Sequence, residues 1–312
     1  MKKTLIALAV LGSVAGVAQA QSAVTVYGKL DLGLQKETGT ATQLANNHQS
    51  RLGFKGTEDL GGGLNAIFQI ETRFNADTGA VRGYDGVANP LFGGQSIVGL
   101  TGGFGTVKLG RTYNIVDGVA AGAADPFEGD GIADMHALTA ARLSNTVTYV
   151  SPSMSGFSAS VQSQLSEVSG QKNGWGVAGA YENGPISAGL GYQKLTATAP
   201  GAEQPNIWGL NAAYAFGPAK VMLGYERLDT KVAGAEKTKN LILGATYGIG
   251  AGLIKAAYSQ QKTTDTDRKY ALGYQHNLSK RTSVYADVAH TNPGAAGAES
   301  INGVEIGVTH NF

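Results

Sequence analysis

Alternation of apolar and polar residues with a period of two runs through most of the chain and constrains its fold more than any other feature. The closing segment GVEIGVTHNF, 303–312, places Val304, Ile306, Val308, His310 and Phe312 on one face. Successive side chains of a strand point to opposite faces, so this pattern predicts a ribbon with one apolar side and one polar side. Sixteen such segments can be recognised, at 23–35, 50–59, 64–74, 96–102, 106–113, 145–150, 156–164, 175–182, 186–194, 207–217, 219–228, 239–248, 252–261, 268–277, 281–290 and 303–312.

The connections between these segments alternate between short turns and longer loops. The short ones are rich in Gly, Pro and Asn, as tight turns require, and lie at 58–63, 101–105, 151–156, 183–185, 216–220, 248–252 and 277–282. The others lie at 36–47, 75–93, 114–141, 169–172, 197–204, 230–236, 263–266 and 293–300. This plan predicts an all-β fold, a 16-stranded antiparallel transmembrane β-barrel with short periplasmic turns and long external loops. A secreted β-sandwich is the soluble alternative, but its strands are shorter than many of these segments.

The first twenty residues have a separate explanation. Lys2 and Lys3 precede an apolar stretch, 5–17, and Ala18-Gln19-Ala20 forms an A-x-A site. This pattern is typical of a Sec-type signal peptide, so we expect cleavage between Ala20 and Gln21 and an outer-membrane barrel over 21–312. Glycine and charged residues interrupt every later apolar run before it reaches the length of a membrane-spanning helix.

Composition and motifs argue against catalysis and nucleic-acid binding. The chain has no cysteine and a net charge of +1, so it offers no thiolate site and no basic footprint for nucleic acid. No phosphate-binding loop, HExxH helix or nucleophile elbow occurs, and the five histidines are scattered singly. The sequence therefore predicts no enzymatic activity, no cofactor and no metal site.

Aromatic residues lie near many strand ends. They are Tyr113, Tyr149, Phe157, Tyr181, Tyr214, Phe216, Tyr247 and Phe312. Such positions suit the aromatic girdles of membrane barrels, although aromatic residues near turns also occur in ordinary sheets.

Several long strings resemble the general diffusion porins of beta-proteobacteria. They include VTVYGKLDLGL, SRLGFKGTEDLGGGLNAIFQIE, VGLTGGFGTVKLGRTY, NTVTYVSP and LSKRTSVY, together with the terminal aromatic residue. The resemblance covers the whole mature chain. It implies a homotrimer in the outer membrane, in contact with lipid and lipopolysaccharide, whose third external loop folds into the lumen. It also implies that Phe312 belongs to a C-terminal signature used by the barrel-assembly machinery.

The loop 114–141 is the candidate constriction. A barrel of sixteen strands is too wide for side chains to fill, so something must narrow its channel. This loop is the longest, lacks periodicity and has no Lys or Arg. Its acidic residues are Asp117, Asp125, Glu128, Asp130 and Asp134.

Strand parity places basic residues on the facing wall. The predicted basic wall comprises Arg51, Lys55, Arg73, Lys108 and Arg142, and Glu71 is assigned to the acidic side. In the resembling family, arginines that match Arg51 and Arg142 line the narrowest part of anion-preferring members, and a carboxylate matches Glu71. Opposed acidic and basic walls would create a transverse field for ions and dipolar solutes. Strict alternation points Arg111 outward.

One position departs from the family pattern. Many relatives carry an arginine where this chain has Gly94. Mild anion preference, non-selective behaviour and cation preference therefore all stay open. The predicted function is a passive general diffusion porin for ions and small hydrophilic solutes. The alternatives are a substrate-specific channel and, from another class, an outer-membrane barrel enzyme or adhesin.

Overall fold

A computed structural model describes residues 23–46, 48–83, 90–129, 131–135, 138 and 142–312. The predicted signal peptide, with Ala20 and Gln21, lies outside these residues. The strands are β1 (Ala23–Glu37), β2 (Gln43–Ala45), β3 (Arg51–Gly61), β4 (Leu64–Arg73), β5 (Gln95–Gly102), β6 (Gly105–Tyr113), β7 (Arg142–Val150), β8 (Phe157–Gln164), β9 (Gly174–Asn183), β10 (Ile186–Lys194), β11 (Asn206–Phe216), β12 (Ala219–Asp229), β13 (Thr238–Ile249), β14 (Gly252–Lys262), β15 (Thr266–Asn277), β16 (Thr282–Asn292) and β17 (Ile301–Asn311). Two short 3-10 turns, Asp117–Val119 and Ala121–Ala124, lie between β6 and β7. No helix among the described residues is long and apolar enough to cross a membrane.

The strands form one closed antiparallel sheet. Each strand from β3 to β17 pairs with the next along the chain, and β17 pairs with β1 from Gly303 to Asn311. Backbone hydrogen bonds between Gly28 and Phe312, 3.0 and 3.1 Å long, extend this closure to the last residue. Because β2 and β3 both pair with β1, they occupy one position in the wall. The predicted sixteen-stranded barrel is confirmed.

The apolar face of each strand points out of the barrel. In β17, Ile306 is 58% exposed, whereas its neighbour Glu305 is 1% exposed. The same division holds in β1, where Leu30 is exposed and Asp31 is buried. An outward apolar band with polar residues inside is the arrangement that membrane barrels require.

The wall is interrupted between β2 and β3. Here the chain leaves the sheet and His48 and Ser50 turn inward, where both are buried. The His48 backbone N–H donates to Asp31 Oδ1 at 2.8 Å, and the Asp31 backbone N–H donates to Ser50 Oγ at 2.9 Å. The Asp31 carboxylate and the Ser50 hydroxyl thus take the place of the backbone hydrogen bonds that strand pairing would otherwise form here.

The described residues of the connection between β6 and β7 lie inside the barrel, and we call this connection the inner loop. Phe127, Met135 and Val116 on this loop are fully buried. The loop packs against wall positions that carry glycine, namely Gly189, Gly191, Gly209, Gly244 and Gly273. At Gly244 a Cβ would stand 2.2 Å from the carbonyl oxygen of Ala124, so only glycine lets the backbone approach this closely.

Alternation breaks in β6, which corrects two sequence predictions. Gly110 has φ +123°, and pairing with β7 shifts register between Gly110 and Thr112. Arg111, predicted to face outward, is instead buried, and its Nε donates to the carbonyl oxygen of Gly93 at 3.0 Å. Tyr113, predicted in the outer aromatic girdle, lines the lumen. A register change of one residue moves side chains to the opposite face, which explains both differences.

Candidate functional site

The lumen contains a cavity of about 730 Å³ between the inner loop and the wall. Its charged lining residues are Arg51, Arg73, Arg142, Lys220, Asp117, Asp125, Glu128 and Asp134. The arginines come from β3, β4 and β7, and the carboxylates all belong to the inner loop. The fold therefore brings a basic wall and an acidic loop to opposite sides of one water-accessible space.

Arg51 and Arg73 begin the basic wall as direct neighbours in the β3–β4 ladder. Like charges at paired positions repel each other, so this arrangement needs a counter-charge. Glu71 supplies it, because the Arg73 Nε donates to Glu71 Oε1 at 2.8 Å. Arg73 Nη1 also donates to the side-chain oxygen of Gln49. Glu71, placed on the acidic side by the sequence analysis, thus stands on the basic wall, since it shares the lumen face of β4 with Arg73.

Arg142 is held at the edge of the wall by an aromatic ring. Its Nη2 donates to the Tyr113 hydroxyl at 2.9 Å, and its guanidinium carbon lies 4.5 Å from the centre of the Tyr113 ring. The two residues are also register partners in β6 and β7. A hydrogen bond and a cation–π contact together restrict the guanidinium to one direction, toward the cavity.

Asp125 organises the tip of the inner loop. Its two carboxylate oxygens accept hydrogen bonds from the backbone N–H groups of Phe127, Gly129 and Met135, at 2.9, 3.0 and 3.2 Å. Burial nonetheless raises the pKa of Asp125 to about 6, because desolvation of the carboxylate outweighs the three donors. The charge of this side chain therefore changes within a mildly acidic range of pH.

Two wall carboxylates anchor the far side of the inner loop. The backbone N–H of Ile132 donates to Glu305 Oε2 at 3.1 Å, and that of Leu138 donates to Glu226 Oε2 at 3.0 Å. Phe127 adds an apolar anchor, in a cluster with Ala124, Ala133, Met135, Met222, Ile242, Ala257 and Ala271. These contacts fix the acidic residues of the loop opposite the arginines.

Several predicted residues lie elsewhere. Lys55 is on the same face as Arg51 but four residues along β3, about 13 Å away at strand spacing, and its Nζ lies 5.3 Å from the centre of the Tyr27 ring. Lys108 is partly buried on β6, and neither lysine lines the cavity. Asp130 lies outside the described residues. Phe312 closes the barrel seam and covers Gly28 with its ring.

Several lining residues were not predicted from the sequence, among them Lys220, Gln49 and Tyr113. Lys220 extends the charged lining to β12, across the lumen from β3. Parity could have found it, because Val221 and Leu223 alternate with it and are exposed on the outer face. Gln49 and Tyr113 carried no such signal, since one lies in the wall interruption and the other follows the register shift.

Gly94 lies directly against Glu71. Its backbone N–H donates to the Glu71 carbonyl oxygen at 2.9 Å, and a Cβ at this position would stand 2.3 Å from Glu71 Oε1. An arginine at this position would therefore require Glu71 to move. Arg111, turned inward by the register shift, places a positive charge close by through its bond to Gly93.

Comparisons with known proteins agree with this architecture. The model of the Gram-negative porin family matches residues 7–296. The chain is 34% identical to outer membrane porin protein 32 of Delftia acidovorans, with 100% of both chains covered. The solved anion-selective porin from Comamonas acidovorans is similar with a TM-score of 0.79 and 29% identity, over 94% of this chain and 100% of that one. The trimer form of OmpT from Vibrio cholerae has a TM-score of 0.72 at 17% identity, over 93% of this chain and 99% of that one, which shows a common fold.

Proposed function

Because the chain belongs to the Gram-negative porin family and is an outer-membrane β-barrel, we propose that it is a general diffusion porin. It is a passive, water-filled channel for ions and small hydrophilic solutes, and it carries out no chemical reaction. The observation that carries the proposal is the lumen cavity, where arginines on the wall face carboxylates on the inner loop. A polar lumen lined by fixed charges is the environment that hydrated ions and small polar solutes can enter.

The ion selectivity is proposed to be weak, with a mild preference for anions. Four cations and four carboxylates line the cavity, so their opposite charges nearly cancel in the sum. Glu71 offsets Arg73, and three backbone N–H groups offset Asp125. Arg51, Arg142 and Lys220 then face Asp117, Glu128 and Asp134. The direction of the preference is supported by the 29% identity to the anion-selective porin from Comamonas acidovorans.

The remaining features of the proposal concern assembly. The short turns would face the periplasm and the longer loops the outside. The trimer form of the similarly folded Vibrio cholerae protein supports a homotrimer. The outward apolar band would contact membrane lipid, and its outer rim lipopolysaccharide. Removal of residues 1–20 and recognition of Phe312 by the barrel-assembly machinery stay predictions from the sequence.

The test is electrical. Refolded protein is inserted into planar bilayers, and single-channel conductance and reversal potential are measured under a tenfold KCl gradient. We expect stable conductance steps that close in threes, with a small anion-directed reversal potential. Arg51→Ala and Arg142→Ala should each lower the chloride-to-potassium permeability ratio about threefold, since one charge about 6 Å from an ion in water is worth roughly 0.7 kcal/mol.

Lys55→Ala is the matched control, because it removes a lumen-facing charge that does not line the cavity. Its permeability ratio should stay close to that of the parent protein. If the reversal potential is cation-directed and neither arginine variant changes it, the protein is still a porin, but Arg51 and Arg142 do not form the constriction as proposed. A folded barrel without conductance would refute the porin function.

A further inference from the structure

A second polar cluster lies in the barrel, behind the inner loop. It consists of His48, from the interruption between β2 and β3, Asp287 on β16 and Glu305 on β17. Asp287 and Glu305 are direct register partners, which sets their carboxylates side by side. His48 Nε2 lies 3.9 Å from Asp287 Oδ2, and one ligand atom from each residue falls within 4.8 Å of the others.

The cluster is buried, and the facing imidazole nitrogen lacks a hydrogen-bond partner. His48 is 8% exposed, and Asp287 and Glu305 are each 1% exposed. His48 Nε2 has no hydrogen-bond partner, whereas the carboxyl groups of Asp287 and Glu305 hydrogen-bond to each other. A buried polar atom is costly unless something satisfies it, so an imidazole nitrogen turned toward two carboxyl groups indicates a ligand.

The neighbouring donors are already committed to other atoms. Asp31, the third carboxylate of the region, accepts from the Tyr285 hydroxyl, the Thr309 hydroxyl and the His48 backbone N–H. Tyr285 also packs edge-on against the His48 ring, with centroids 4.3 Å apart, which leaves His48 Nε2 turned toward the carboxylates. The imidazole is thereby oriented by its own surroundings, as metal-binding histidines are.

Lys29, Lys255 and Lys269 bring positive charge to the cluster. The Lys255 Nζ lies 4.0 Å from Asp287 Oδ2, beyond hydrogen-bond range, and 4.6 Å from the centre of the Phe127 ring. Lys255 is thus partly engaged by an aromatic ring and makes no hydrogen bond to Asp287.

We propose that His48, Asp287 and Glu305 form a binding site for a divalent transition-metal ion, with Zn²⁺ as the preferred occupant. One imidazole and two carboxylates, with a position left for water, are a donor set that Zn²⁺ accepts. Tetrahedral ligands of Zn²⁺ lie about 3.4 Å apart, so the side chains would draw together by roughly 0.5–1.4 Å. His48 lies outside the regular ladder, where such an adjustment requires no movement of a strand.

A metal at this position would join three parts of the molecule. His48 belongs to the interrupted second strand, Asp287 and Glu305 belong to the wall, and Glu305 also accepts from the inner-loop residue Ile132 through its other oxygen. Zn²⁺ binding would therefore strengthen the attachment of the inner loop to the barrel wall.

The experiment is a Zn²⁺ titration of the untagged, metal-depleted, refolded protein by isothermal calorimetry. We expect one Zn²⁺ per chain, with affinity about tenfold weaker or more in His48→Ala and Asp287→Asn. Lys255→Met should bind Zn²⁺ more tightly, because it removes a repelling charge. His276→Ala is the matched control, since this partly exposed histidine contacts the Tyr274 hydroxyl at the rim and its loss should leave the affinity unchanged.

Co²⁺ absorption gives a second readout, because visible bands of ligand-bound Co²⁺ should appear in the parent protein and disappear in His48→Ala. If His48→Ala does not refold, His48→Gln serves in its place, as it keeps a polar side chain beside Asp31 and Tyr285. Zn²⁺ affinity that is equal in the parent and either His48 variant overturns the proposal. So does the absence of binding at millimolar Zn²⁺, and so does weaker binding in Lys255→Met.

Discussion

Replacement of Phe127 by alanine should loosen the inner loop without unfolding the barrel. The ring is fully buried between the loop and the wall, near Gly273, where a Cβ would stand 2.8 Å from Phe127 Cε1. The wall itself is held by ladder hydrogen bonds and does not depend on this contact. The variant therefore tests how the loop is attached, separately from how the barrel folds.

The size of the effect follows from the burial. Truncation of a buried phenylalanine to alanine costs about 3–5 kcal/mol, through lost transfer energy and the cavity that is left. Loss of the cation–π contact with Lys255, whose Nζ is 4.6 Å from the ring centre, contributes to this cost. A loop destabilised by that amount would detach from the wall on the order of 10² to 5 × 10³ times more often. The hydrogen bonds to Glu305 and Glu226 should still keep it within the lumen.

Single-channel recording measures this directly, as added open-channel noise and brief excursions to higher conductance. Because the chain has no cysteine, Glu128→Cys can carry a single spin label at the loop, and the label should become more mobile in the Phe127→Ala background. Phe216→Ala is the control, since it removes a ring of the same size that is 49% exposed on the outer face. Equal noise and equal label mobility in Phe127→Ala and Phe216→Ala would refute the reasoning.

Three further predictions concern the cavity. Because burial raises the pKa of Asp125 to about 6, above its value in the unfolded chain, the folded protein binds the extra proton, and this group favours the folded loop as pH falls from 7 to 5. The reversal potential should shift in the anion direction over that range by about a two- to threefold permeability change, and Asp125→Asn should lose the shift; an unchanged shift would contradict the assignment. Tyr113→Phe removes the hydroxyl that accepts from Arg142 Nη2, a hydrogen bond worth about 1 kcal/mol. The variant should therefore show only part of the selectivity loss of Arg142→Ala. A loss equal to that of Arg142→Ala would count against a positioning role for Tyr113. Gly244→Val should displace the loop backbone at a cost of about 1–3 kcal/mol, seen as altered conductance or lower refolding yield, whereas Gly248→Val, whose nearest Cβ contact would be 3.7 Å, should behave like the parent protein.

The strands and turns of the barrel could be predicted because each is encoded by its own residues. Each strand shows its own alternation, and each short turn shows its own Gly, Pro or Asn residues, so strand number and face assignment required no knowledge of distant contacts. The same parity placed Arg51 and Arg73 on the lumen face, where the structure has them. Strand parity also predicts that Lys220 faces the lumen.

The local rule failed where the backbone departs from regular pairing. The positive φ of Gly110 and the register shift beside it turned Arg111 and Tyr113 away from their predicted faces. Nothing in the residue pattern marks this shift, because glycine also occurs in regular positions of the wall. The interruption that turns His48 inward is hidden in the same way, since the second strand resumes with correct alternation at Arg51.

The sequence by itself determined a sixteen-stranded barrel with an apolar exterior, a polar lumen and one long acidic loop, because a period of two assigns each side chain to a face. Only the tertiary structure decided which charges meet. The glycine positions along β10 to β15 let the inner loop dock closely, and that docking selected the carboxylates that face the arginines. The pairing of β16 with β17 and the interruption after β2 brought His48, Asp287 and Glu305 together. These contacts join residues far apart in the chain, and their distances follow from closure of the barrel, which no local pattern encodes.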